Sequence, residues 1–310
     1  MSGVVMVLVF LLFGSADDPL PAGPVFDISV NNIPLKQHMM AFVASPGSRM
    51  RLSCPDSLSW SIPDLDLNGT GTEFSFTLPR SHGTYTVNAS DESSIQEWIM
   101  IVPLDKNQFR TASLNSFPVG FYGDGNSRDN LPDRGFIELW PDIFHARIST
   151  HLSFSDFLGH TEGGWPQYMV LDLRLVHKLE CVLAEVALSY PEARDIHCIS
   201  GFRTPAYNAA IGNDTGFSLH LYGAASDFWI EGWPGNDLID DLDRNKRIDV
   251  FDGEFIVAAS RRLEAAGEVA VGGGSAYRWI TSHGPFVHLD TRGSAPVWQT
   301  RRSLVDNPVI

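Results

Sequence analysis

Apolar side chains at Leu171, Leu175, Leu179, Val182 and Val186 recur at intervals of four, four, three and four, the spacing of one helical face. This predicts a helix over residues 167–189, and a second is expected over 253–266. Between and after them the pattern shortens to apolar runs at 196–200, 225–230, 279–280 and 286–289, which read as strands. Helix, strand, strand, helix and strands make an α+β domain with an antiparallel sheet, placed at residues 165–310. The first third of the chain has a different rhythm. Short runs at 25–30, 51–54, 73–78, 84–87 and 98–102 are punctuated by Gly, Asn and Pro, and Phe74-Ser75-Phe76-Thr77-Leu78 alternates strictly. They predict a small β-sandwich over 24–103. Cys54 and Trp60 suit an immunoglobulin-like core in architecture only, because one Cys cannot form the inter-sheet bridge. Residues 104–164, rich in Gly, Asn, Asp and Pro, read as a wrapping connector in which Ser153 or Ser155 caps a short helix.

At the start, an apolar run from Val4 to Phe13 precedes the small residues Gly14-Ser15-Ala16, so residues 1–16 read as a secretory signal. An uncleaved anchor, although the run is short for a bilayer span, and a buried N-terminal strand are the other readings. Cleavage would leave no stable membrane span and a periplasmic or secreted protein. With 310 residues, 44% of them hydrophobic, the chain can bury a sizeable core and supply two domains. A net charge of −15 without any basic run argues against nucleic-acid binding, which rests on clustered Lys and Arg. Cys181 and Cys198 could pair in an exported protein, or all three cysteines could remain thiols; sequence separation does not decide between these.

Candidate chemistry concentrates in Ser200 to Ile230, where His220 and Asp227 stand seven residues apart with Arg203 upstream, and in Phe286-Val287-His288-Leu289-Asp290. Two imidazoles and a carboxylate suit catalytic zinc, because three protein ligands leave a fourth position for water. A carboxylate at Asp227 inside Ala-Ala-Ser-Asp-Phe-Trp-Ile is also costly unless it is paired or ligating. The order S-G-F-R, T-P-A-Y-N-A-A-I-G, S-L-H-L-Y-G-A-A-S-D and F-V-H-L-D, covering roughly the last half of the chain, resembles the zinc D-Ala-D-Ala carboxypeptidases and related peptidoglycan endopeptidases of the hedgehog/D-Ala-D-Ala peptidase fold.

The resemblance implies zinc on His220, Asp227 and His288, substrate contact by Arg203 and Ser218, and peptidoglycan stem peptides as partners. Arg203 could instead serve a structural salt bridge, and Ser218 could satisfy loop backbone; Tyr207 and Asn208 are expected to shape the loop. Many relatives carry an acidic general base three residues before the last ligand, where this chain has Pro285. His283, which relatives can use to steady an oxyanion, and Asp290, which shares a strand face with His288, are the remaining catalytic candidates.

A further constellation, Asp241, Asp243, Asn245, Asp249 and Asp252, places oxygen donors at positions one, three, five, nine and twelve of an EF-hand-like loop. Lys246 replaces the turn Gly and Asp252 the longer Glu, so calcium and a solvated acidic loop both remain open. The sequence expectation is a zinc peptidase acting on the cell wall, as carboxypeptidase or cross-link endopeptidase. The alternative from another class is a wall-binding module with a structural metal.

Overall fold

This computed structural model describes residues 25–105, 113–122, 132, 134–158, 164–213, 218–232, 235–278 and 284–295. The segment 1–16, the strand expected at 279–280 and His283 lie outside the described residues.

The N-terminal strands are β1 (Ser29–Val30), β2 (Ile33–Pro34), β3 (Ala41–Val43), β4 (Arg49–Ile62), β5 (Leu67–Thr77), β6 (Gly83–Ser90) and β7 (Ile95–Val102). They form one sheet of order β2-β1-β4-β6-β7-β3, with β5 also on β4, where the sequence suggested two sheets in a sandwich. The difference lies in β4. It runs 14 residues, pairing Leu52 and Ser53 with β1 and Ser59 to Ser61 with β6 along the edge opposite β5. Its register shifts between Ser53 and Leu58, and such an irregularity bends a strand. A single curled sheet therefore encloses the core of Cys54, Trp60, Phe76 and Trp98.

Trp98-Ile99-Met100-Ile101-Val102 is apolar without interruption because β7 is buried on both faces. Trp98, Met100 and Val102 enter the sheet's own core, while Ile99 and Ile101 enter the core of the C-terminal half. Burial of each isoleucine contributes about 1.5–3 kcal/mol, so the N-terminal sheet is fastened to the rest of the chain.

The connecting region contains β8 (Ser113–Leu114), β9 (Phe117–Pro118), β10 (Ile137–Leu139), α1 (Pro141–Phe144) and α2 (Phe154–Phe157). Phe117, Val119, Phe136, Leu152 and Phe157 sink into the C-terminal core. Ser153 caps α2 reciprocally with Asp156, as its position suggested.

The remaining elements are β11 (Gln167–Met169), α3 (Leu173–Ala187), β12 (Ala193–Ser200), α4 (Pro205–Ala210), β13 (Ala225–Gly232), α5 (Val250–Ala266), β14 (Gly274–Tyr277) and β15 (Phe286–Asp290). α3 starts later than the periodicity predicts: Gln167 to Met169 pair with β10, and Asp172 accepts from the Arg174 N–H to set the first turn. The sheet order β12-β13-β15-β14 is antiparallel throughout. Lys178, wholly buried on α3, donates to Glu264 Oε1 at 2.6 Å and to the carbonyls of Ala270 and Asp290 at 3.1 and 2.8 Å. Its three ammonium donors thus tie both long helices to the end of β15. No described helix is long and apolar enough to cross a membrane.

The suggested Cys181–Cys198 bridge is absent; all three cysteines are thiols. Cys181 lies 3.5 Å from His177 Nδ1, whereas Cys198 accepts from the Ser226 hydroxyl at 3.6 Å, so the two sulfurs serve different neighbours.

Candidate metal centre

The antiparallel register of β13 and β15 sets Asp227 directly opposite His288. Side chains of such a pair emerge on one face of the sheet and meet. His288 Nδ1 lies 2.8 Å from Asp227 Oδ1. The third residue arrives from a short 3-10 turn, Leu219–Tyr222, whose His220 is buried. Gly223 closes that turn at φ +58°, and a Cβ there would meet the Val170 carbonyl oxygen at 1.9 Å, so both the backbone angle and the space demand glycine. His220 Nε2 reaches to 3.4 Å of Asp227 Oδ2. The structure thus brings together the three residues expected to hold zinc, with donor atoms within 4.8 Å of one another.

Each imidazole is oriented from behind. His220 Nδ1–H donates to the Gly201 carbonyl at 2.7 Å, which leaves Nε2 as the lone pair facing Asp227. Gly201 is packed against Phe157, where a Cβ would lie 2.6 Å from Phe157 Cα, and this close approach places the carbonyl. His288 turns Nε2 toward Asp290 Oδ2 at 3.5 Å and Nδ1 toward Asp227. Asp290 is wholly buried and already accepts from Gly273 N at 2.7 Å and from Arg292 through Nε and Nη2 at 2.9 and 2.6 Å. It therefore sits behind the imidazole, on the side away from Asp227, where it can orient a ligand but does not face the donor cluster.

Burial alone would raise the pKa of Asp227, yet the surrounding imidazoles hold it well below the usual carboxylate range. Burial would lower that of His288, but the carboxylates of Asp227 and Asp290 raise it above the ordinary value. Asp290 is likewise depressed, with burial opposed by His288, Arg292 and the Gly273 amide. One ionised carboxylate among two oriented imidazoles is the donor set that a tetrahedral cation with one open position takes.

Arg203 stands at the rim. Its Nε donates to Ser200 Oγ at 2.7 Å and its Nη2 to Asp227 Oδ2 at 2.8 Å, so in this state it makes the ion pair that was its structural reading. The cleft beside it is lined by Phe117, Pro118, Leu158, Phe202, Thr204 and Tyr207. Ser218 is half-buried at the start of the turn and its hydroxyl does not cap it. Asn208 is buried, donating Nδ2–H to the Asn213 carbonyl at 2.5 Å, and so shapes the loop as expected.

Sequence reading missed Ser200, Gly201 and Tyr277. The first two lie inside the S-G-F-R tract, where the strand-to-loop change was a usable signal. Tyr277 gave none, because β14 was not anticipated. Its ring stacks on Phe286 at 4.8 Å, and burial together with the nearby Asp227 charge raises its hydroxyl pKa.

Of the five oxygen donors expected for calcium, Asp241, Asp243 and Asp252 converge. Asn245 lies alongside, its N–H donating to both Asp241 and Asp243, and its Nδ2–H to Asp243 Oδ2. Asp249 departs from the expectation: it is the N-cap of α5 and accepts from Phe251 N at 2.8 Å. Lys246 adopts φ +68°, the left-handed geometry that the replaced glycine would supply. Two more groups among the described residues are spaced to hold an ion: His38, His177 and Cys181, and His197, Glu231 and Asp237. No family model, curated protein or solved structure matches this chain.

Proposed function

We propose that the chain is an exported zinc metallopeptidase that hydrolyses peptide bonds in peptidoglycan stem peptides. The observation that carries this reading is the convergence of His220 Nε2, Asp227 and His288 Nδ1, each imidazole held by a separate acceptor behind it. The S-G-F-R, S-x-H and F-V-H-L-D tracts and their resemblance to wall peptidases supply the substrate class. Zinc held by these three residues would supply Lewis-acid polarisation of a carbonyl and an activated water.

The chain's own residues do the rest. Arg203, fixed through Ser200, binds the carboxylate or carbonyl of the stem peptide with its guanidinium fork, exchanging part of its contact with Asp227. The Ser218 hydroxyl, at the start of the turn that carries His220, contacts the peptide. Asp290 keeps the proton of His288 on Nε2, so that Nδ1 stays a donor. Proton transfer or oxyanion support is assigned to His283, since Pro285 can do neither. Asp241, Asp243 and Asp252 hold a second cation of the calcium class that braces the entry to α5.

Pro285 also favours a second reading, a wall-binding module whose metal is structural. Incubation of the purified protein with muropeptides, with and without zinc, and mass analysis of the products separates the two. Zinc-dependent loss of a terminal D-Ala or of a cross-link is the expected result. Binding without any mass change across a pH series would leave the module.

A further inference from the structure

His38 and the pair His177 and Cys181 come from opposite halves of the chain. His38 lies in the turn before β3, in the N-terminal half, and its carbonyl accepts from Thr150 N at 2.9 Å. His177 and Cys181 are four residues apart on α3, so they share one helical face. His177 Nδ1 stands 2.7 Å from His38 Nε2 and 3.5 Å from Cys181 Sγ. The far nitrogen of His177, Nε2, donates to the Glu268 carbonyl at 3.1 Å, which leaves Nδ1 as a lone pair pointing at the other two groups. All three residues are partly buried, and nothing in the zinc chemistry above uses them.

We propose that His38, His177 and Cys181 form a further cation site, of the zinc class and distinct from both sites above, that joins the N-terminal sheet to helix α3. Bonds of about 2.0–2.3 Å to a tetrahedral ion put donors about 3.3–3.7 Å apart. The His177–Cys181 separation of 3.5 Å already meets this spacing, and the two imidazoles have only to part by about half an ångström from 2.7 Å. A thiolate with two imidazoles selects zinc over the hard cations that oxygen donors prefer. Cys181 gives up its thiol proton to solvent when the ion binds.

Cobalt(II) distinguishes this site from the first, because only a sulfur ligand gives an intense thiolate-to-cobalt charge-transfer band, and His220, Asp227 and His288 offer no sulfur. The full chain titrated with Co²⁺ should develop that band in the near ultraviolet, and added Zn²⁺ should bleach it. Cys181→Ser should abolish the band, Cys198→Ala should keep it, and His38→Ala should weaken the binding that it reports by tenfold or more. A measurement on the unaltered protein guards against misfolded variants: Zn²⁺ should protect Cys181 from iodoacetamide, read by peptide mass. Absence of the band, its survival in Cys181→Ser, or equal alkylation of Cys181 with and without Zn²⁺ would overturn the proposal.

Discussion

Replacing Asp290 by Asn tests whether the orientation of His288 is what makes it a ligand. The Asp290 carboxylate divides its work: Oδ1 accepts the backbone N–H of Gly273 at 2.7 Å and of Arg292 at 3.1 Å, while Oδ2 faces the Arg292 guanidinium and, at 3.5 Å, His288 Nε2. An amide keeps the first pair only by placing its oxygen there, which sets its NH₂ against the guanidinium and the imidazole N–H. Donor then faces donor. The least costly escape for His288 is to carry its proton on Nδ1, toward Asp227, where the ligand lone pair is needed. Loss of such an orienting partner lowers metal affinity about 10–100-fold, which is about 1.4–2.8 kcal/mol. Competition with a chromophoric chelator at fixed pH measures the affinity, and turnover at saturating zinc should stay near that of the parent. Unchanged affinity would refute the orienting role, and intact zinc with abolished turnover would make Asp290 the general base.

Four further outcomes are expected. Because the folded pKa of His288 is raised, its proton competes with zinc beyond the ordinary range near 6.5; affinity should climb about one log unit per pH unit below that raised pKa and flatten above it, and a flat profile throughout would contradict the assignment. Arg203→Lys cannot hold Ser200 and Asp227 together, so kcat/KM should fall about tenfold or more with zinc retained, and unchanged kinetics would leave Arg203 a structural residue. His283→Ala should reduce kcat by about 10²-fold with zinc still bound, whereas a normal rate would remove His283 from the chemistry. Deletion through Pro103 strips Met39, Ala41, Ile99 and Ile101 from the shared core, so the remainder should lose its cooperative melting transition; a sharp, unchanged melt would show that the halves are independent.

The parts of the fold legible in the sequence are those set by local periodicity. The face of α3, the apolar runs of β12, β13 and β15, and the reciprocal cap at Ser153 all depend on neighbours within a few residues. What escaped depends on partners far along the chain. The two buried faces of β7 look like any apolar run until Ile99 is seen against one core and Met100 against the other. The curl of the N-terminal sheet depends on β4 exchanging β1 for β6 along one edge, an event with no residue signature. In the site, the three candidate metal donors were readable because His220 and Asp227 sit in a tract of small residues and His288 in the short apolar run Phe286 to Leu289. The carbonyl of Gly201 and the ring of Tyr277 were not, since a backbone oxygen has no letter of its own and β14 is four residues of mostly small side chains. His38 lies 139 residues from His177, beyond any spacing rule.

The pairing of Asp227 with His288 makes the donor set a property of strand register rather than of side chains alone. Sliding β15 past β13 by one residue would turn His288 to the other face and offer Val287 or Leu289 in its place. An ion bound by both residues therefore admits one alignment of the two strands and opposes every neighbouring one. Loading such an ion and proofreading the sheet would be a single event, and a chain that zipped together one step out of line would be recognisable by its failure to hold the ion.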